Sequence, residues 1–226
     1  MRCHLIRRML SAAAFGVFGL SGTAQAAILD LESVTPAIYF SGETFGQAGY
    51  TFTQQGGFGA IGAAFDIAQA PVGNDTQFYG GLNDASLSLT GSDLSGFNLY
   101  SFDAGFIAPS PQGPDVFAGR IVLFGTTTAG GNVLSSFEFL PSAADGSFSF
   151  AHYALGLDAF RNLASVTFLA CIYGEDGLGC NNPAANLAQF ALDNVAVIAV
   201  PEPSTHALFL LGLAGVAAYS RRRARH

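Results

Sequence analysis

At 226 residues the chain is long enough for one well-buried domain once its ends are set aside. Half of its residues are hydrophobic, 21 are Phe and only 11% are charged, which excludes intrinsic disorder, a state of low hydrophobicity and few aromatics. Between Ala27 and Val200 two arginines, Arg120 and Arg161, face fifteen acids, so this stretch carries about −13 and repels nucleic-acid phosphates and anionic membranes.

Residues 1–26, MRCHLIRRMLSAAAFGVFGLSGTAQA, open with Arg2, Arg7 and Arg8 and continue through an apolar stretch from Met9 to Leu20. They end on Ala24 and Ala26 flanking Gln25. A cationic start, an apolar run and small residues at the end spell a secretory signal peptide cut after Ala26. The alternative is a membrane anchor. Cys3 precedes the apolar run, cannot be a lipidation cysteine at the cut, and leaves with the signal.

Residues 27–200 show no long helical period. Short β-favouring runs recur between Gly, Pro, Asn and Asp clusters, which is the all-β pattern. The strands this predicts are Ile28–Glu32, Tyr50–Gln54, Ser86–Thr90, Phe97–Phe102, Arg120–Phe124, Val133–Leu140, Ser147–Phe150, Ala164–Ile172 and Ala188–Val200. Phe137-Glu138-Phe139 and Phe148-Ser149-Phe150 alternate at period two, so each buries one face. About ten strands suit a single two-sheet β-sandwich of the jelly-roll kind. Tyr153–Asn162 is the one short helix predicted. Ala108–Val116 is a loop inside the domain, because strand patterning resumes directly after it. Gly56–Phe65 is glycine-rich but lacks the strand–helix context of a nucleotide loop, and reads as a tightly turned β segment.

Cys171 and Cys180 flank the Gly- and acid-rich stretch IYGEDGLG. In an oxidising compartment such a pair forms a disulfide; the functional alternative, a metal pair, has no second cysteine pair or nearby His to complete it. His152, the one histidine of the body, sits among aromatic and small residues, where a structural role outweighs a catalytic one. Fifteen acids offer many carboxylate pairs of the kind glycoside hydrolysis needs, and nothing in the sequence selects one. Without Trp, sugar platforms fall to Tyr39, Tyr50, Tyr79, Tyr100, Tyr153 and Tyr173, while Phe fills the core.

Residues 201–226 place Pro201-Glu202-Pro203-Ser204 before an apolar segment from Ala207 to Tyr219, followed by Arg221, Arg222, Arg223 and Arg225. Thirteen helical residues span about 20 Å, short of the roughly 30 Å hydrocarbon core, so the segment is marginal as a permanent span and adequate for a pause at the membrane. The arginines stay cytoplasmic.

In that order these three parts resemble a PEP-CTERM sorting signal. The resemblance implies an exosortase-type enzyme that processes the chain near Pro201–Ser204, transient retention in the inner membrane, and release to the surface beside exopolysaccharide or biofilm. Gln189-Phe190 followed by Asp193 resembles a QFxxD-type subset of such proteins. The first and last strands, with LDLES and QFALDNV, also resemble jelly-roll carbohydrate-binding modules, in which matching carboxylates hold a structural Ca²⁺ where the terminal strands meet. That resemblance implies Glu32 and Asp193 as the ligands; the alternative is two solvated strand-end acids. No nucleic-acid partner is expected. The chain thus reads as an exported non-catalytic surface or matrix protein. A carbohydrate-binding module and a two-carboxylate glycoside hydrolase stand as the alternatives.

Overall fold

The computed structural model describes residues 26–62, 69–91, 96–110, 112–156, 158–173, 187–200, 212, 213 and 215, with the backbone alone at 180 and 181. Among them are fourteen strands. In chain order these are β1 (Ala26–Leu29), β2 (Ala37–Phe40), β3 (Thr44–Gln47), β4 (Tyr50–Gln55), β5 (Phe58–Gly62), β6 (Phe78–Leu82) and β7 (Ser86–Gly91). There follow β8 (Phe97–Phe106), β9 (Gly119–Thr127), β10 (Asn132–Glu138), β11 (Ala151–Ala154), β12 (Leu163–Tyr173), β13 (Cys180–Asn181) and β14 (Phe190–Ala199).

The all-β class follows the sequence. In place of two separate sheets, hydrogen bonding runs unbroken along β2-β5-β6-β14-β8-β12-β7-β4-β3, giving one large, nearly closed antiparallel sheet. β9 joins β12 and carries β10, while β11 pairs with β8. Period-two alternation aims one face of each strand at a common core: Tyr50 and Phe52 of β4, Ile121 and Leu123 of β9, Val166 and Phe168 of β12 are all buried. β14 is different. Phe190, Ala191, Leu192 and Asp193 are buried in succession, because a second cluster of Phe78, Leu82, Ile107 and Ala191 covers its other face. A strand covered on both faces reads as a continuous apolar run.

The first strand and the last pair with each other. Ala26 stands opposite Ile198 and Leu29 opposite Val195. Chain entry and exit therefore share one end of the body.

Several expected elements differ. Tyr153–Asn162 is not helical among its described residues: Ala151–Ala154 is strand β11, Leu155 N donates to Tyr100 O at 2.7 Å, and Asn162 takes a φ of 51°. Burial of Tyr153 against Phe102 and Phe137 outweighs the helix propensity of Ala and Leu. Ser147–Phe150 contributes one isolated bridge, Val72 to Ser149, and the strand begins at Ala151 instead. β2, β3 and β6 are additional to the expected strands, the last two interrupted by glycine, while β5 falls within the glycine-rich β segment Gly56–Phe65. In β6, FYGGL, a Cβ at Gly81 would lie 2.7 Å from the Phe190 ring, so the glycine marks a close approach and not a turn. The loop at Ala108–Val116 is free of strand where described.

Candidate functional site: a polar cluster beside the terminal strands

After β1 the chain turns sharply, with Leu31 at a φ of 59°. Polar side chains fix the turn. Gln47 Nε2 donates to Asp30 Oδ1 at 2.6 Å, Gln47 Oε1 accepts from Leu31 N at 3.0 Å, and Glu32 Oε1 accepts from Gln77 N at 2.6 Å. Gln77 Nε2 in turn donates to the carbonyls of Leu31 and Val34.

The segment that carries Gln77 also reaches Asp193. Asn74 Nδ2 donates to Asp193 Oδ2 at 2.7 Å and Thr76 Oγ1 lies 3.1 Å from the same oxygen. Asn194 N donates to Asp193 Oδ1 at 2.8 Å. A register shift in β14 after Asp193, together with a φ of 49° at Asn194, turns the Asn194 amide toward Asp103, whose Oδ2 accepts from Nδ2 at 2.9 Å. Asp103 Oδ1 stands 2.7 Å from His152 Nδ1. In register terms His152, Asp103 and Asp193 form one row across β11, β8 and β14. Exposure falls along that row: 62% for the His152 side chain, 26% for Asp103, and none for Asp193. Burial pushes the Asp193 carboxyl up to about 6; the donors of Asn74, Asn194 and Thr76 oppose the shift and the charge of Asp103 adds to it.

The row is not a complete catalytic set. Asp103 orients the His152 ring, yet among the described residues no hydroxyl or thiol is hydrogen-bonded to it. Asp103 and Asp193 face each other across two strands, but Asp193 lies out of reach of any substrate.

The terminal strands do meet, as the calcium reading requires, and Glu32 and Asp193 both contact the 74–77 segment. Their surroundings are donors. Asn74 turns its nitrogen to Asp193 because its Oδ1 accepts from Thr76 N at 2.9 Å, and Glu32 Oε1 is taken by an amide. A Ca²⁺ cage needs six to eight oxygens, and among the described residues no three His, Cys, Asp or Glu side chains converge. As arranged, the two carboxylates do not fit the ion.

Of the tyrosines expected at the surface, Tyr79 and Tyr50 are buried, the Tyr79 hydroxyl donating to Gln54 Oε1. Tyr39, Tyr100, Tyr153 and Tyr173 are half-buried, and the exposed aromatics are instead Phe40, Phe117 and Phe124. Phe124 lies in an uncharged row that runs Thr44, Thr53, Ser88, Thr167, Phe124, Leu134 across six strands.

Cys171 is buried, and Cys180 stands opposite Tyr173, two residues along the same strand. The Cys180 side chain lies outside the described residues, as do Pro201–Ser204 and the four terminal arginines. Asn74, Thr76, Asp103 and Asn194 carry no signal in the sequence. Thr76 and Asn74 lie 117 and 119 residues from Asp193, and only the strand register joins them.

Fold and ends together define an all-β protein with a C-terminal sorting tail. Residues 199–224 match the PEP-CTERM protein-sorting motif. The chain thus carries a PEP-CTERM sorting motif, which indicates export, transient retention at the membrane by the tail, and then surface display. The match identifies the tail and leaves the body unassigned. No curated protein matches the chain. Among solved structures, the enzymatically active domain of tailspike protein 4 of bacteriophage CBA120 is similar over 66% of this chain and 19% of that one, at 13% identity and a TM-score of 0.32, too low to carry an argument.

Proposed function

We propose that this is a non-catalytic surface or matrix protein, processed by an exosortase-type enzyme and retained with exopolysaccharide. One observation carries the reading: the sorting-motif match begins on Ala199, the last residue of β14, so in the chain the motif follows directly on the last strand of the body. Processing downstream of Val200 then releases a complete domain. A non-catalytic role is supported by the polar cluster, whose donors and acceptors are engaged with one another. The test is expression in an exosortase-bearing host, with mass measurement of the surface and extracellular fractions. The expected chain ends near Pro201–Ser204, and replacing Pro201, Glu202 and Pro203 with Ala leaves the tail attached. A wild-type chain that keeps its tail in that host sinks the proposal.

A second reading, a carbohydrate-binding module, draws support from the uncharged hydroxyl row ending in Phe124 and Leu134. Hydroxyls and an exposed ring suit a neutral glycan, and the acids elsewhere on the body suit no anionic one. Retention of the processed protein on host polysaccharide that Phe124→Ala abolishes would favour it over simple co-sorting. Retention indifferent to Phe124 would remove it.

A further inference from the structure

Among the described residues β1, β2, β3, β10, β11 and β13 each have one strand partner, and β10 is the longest of them. Its partner is β9. Phe139 N donates to Gly119 O, and Gly131 O accepts from Thr127 N, so the odd-numbered residues of this strand aim their backbone groups at β9. Strand alternation then turns the N–H and C=O of Asn132, Leu134 and Ser136 outward. The Glu138 carbonyl points the same way and accepts the Tyr153 hydroxyl at 2.9 Å, which caps that end.

Edge strands are normally guarded by Lys, Pro, a bulge or shortness. β10 has seven residues in unbroken register with β9, no Pro and no cation, and it exposes Leu134 at 70% beside exposed Phe124. The body as a whole is strongly acidic, yet the only charge on this strand is Glu138, which stands opposite Arg120 of β9.

We propose that β10 is a self-pairing edge: two copies of the protein join antiparallel about a twofold axis through Ser135. This register sets residues 132–138 opposite one another, with the backbone exchange at Leu134 and Ser136 and the Glu138 carbonyl left with the Tyr153 hydroxyl. Leu134 exchanges two backbone hydrogen bonds with Ser136 of the partner subunit, and Ser136 does the same with the partner subunit's Leu134. Ser135 faces its own copy in a non-hydrogen-bonded pair. Asn132 meets Glu138 of the partner subunit, so an amide and not a second carboxylate faces the acid, and complementarity holds where like charges would repel. The contact is isologous and closes at two copies.

Sedimentation of the processed protein over a concentration series tests the pairing. The expected result is a dimer that dissociates on dilution. Ser136→Pro deletes an outward N–H and leaves the β9 ladder intact, so it gives a monomer with an unchanged melting midpoint. Leu134→Lys, altered in a solvent-facing side chain, supplies the same readout should the proline variant unfold. Ser135→Cys forms an inter-chain disulfide under mild oxidation, and Leu134→Cys does not. A wild type monomeric at every concentration overturns the proposal, as does a dimer that persists in both edge variants. A dimer without the Ser135→Cys cross-link overturns the register.

Discussion

Asp193 is buried, carries a raised pKa and accepts hydrogen bonds from three residues, so acid should strengthen the fold at this site. Its carboxyl titrates near 6 in the folded protein against 3.8 as the ordinary value. A group with a raised folded pKa binds its proton more tightly in the native state, so its contribution is full below the unfolded value and is lost as pH rises through the folded one. Lowering the pH from 7 to 5 should therefore add about 1.4 kcal/mol from this residue, and reaching pH 4 about 2.4 kcal/mol. Relief of self-repulsion in an acidic body acts in the same direction, so wild type alone does not isolate the site.

The Asp193→Asn variant supplies the difference. It keeps an acceptor for Asn194 N, loses the one shared by Asn74 and Thr76, and should cost about 1–3 kcal/mol at pH 7. Its urea midpoint should then shift less between pH 7 and pH 5 than the wild-type midpoint, by the equivalent of about 1.4 kcal/mol. Equal shifts in the two proteins would refute the assignment of a strained, ionised carboxylate to this position. A smaller shift in wild type would mean that Asp193 is stabilised as an anion.

Adding Ca²⁺ should leave the melting midpoint unchanged, because donors occupy Glu32 and Asp193; a rise that Asp193→Ala abolishes would put the ion between them after all. Gly81→Ala drives a methyl into the Phe190 ring and should lower stability by about 1–3 kcal/mol in chemical denaturation, whereas Gly130→Ala has open space, a φ of 83° and a smaller cost. A Cys171–Cys180 disulfide is the remaining proposal: the β12–β13 register brings the two backbones together, and the bond should contribute about 2–3 kcal/mol. Thiol labelling of the unreduced, unfolded protein should find no free cysteine, and labelling of both would remove the bond.

Strands with β-branched or aromatic alternation, such as β4, β9 and β12, are legible because burial of one face leaves a period of two in the residues themselves. β6 is not, since Gly81 makes room for the Phe190 ring, contributed by a strand more than a hundred residues away. The helix expected at Tyr153 fails for a related reason: the Phe102 and Phe137 rings that bury this tyrosine are distant in sequence. Asp193 was visible as a strand-end acid of the last strand, and Glu32 as one of the first. Their partners were not. A cluster assembled by sheet register leaves no spacing in the chain, and the segment Asn74-Asp75-Thr76 reads only as a turn.

The ends of the body coincide with the points at which the chain is expected to be cut. With the signal removed after Ala26, Ala27 still stands opposite Val197, and only one residue of β1 is lost. At the other end Val200 N donates to Gly96 O at 3.0 Å, directly before Pro201 in the chain. Proline has no N–H to extend a ladder and fixes its own φ, so the residue type that follows Val200 in the chain is one a central strand does not continue through. A cut a few residues upstream would strip Ile198 and Ala199 from β8; a cut at or beyond Pro201 leaves every strand pairing of the described residues 27–200 in place. The strand pairings of the described body thus lie almost wholly between the two expected processing points.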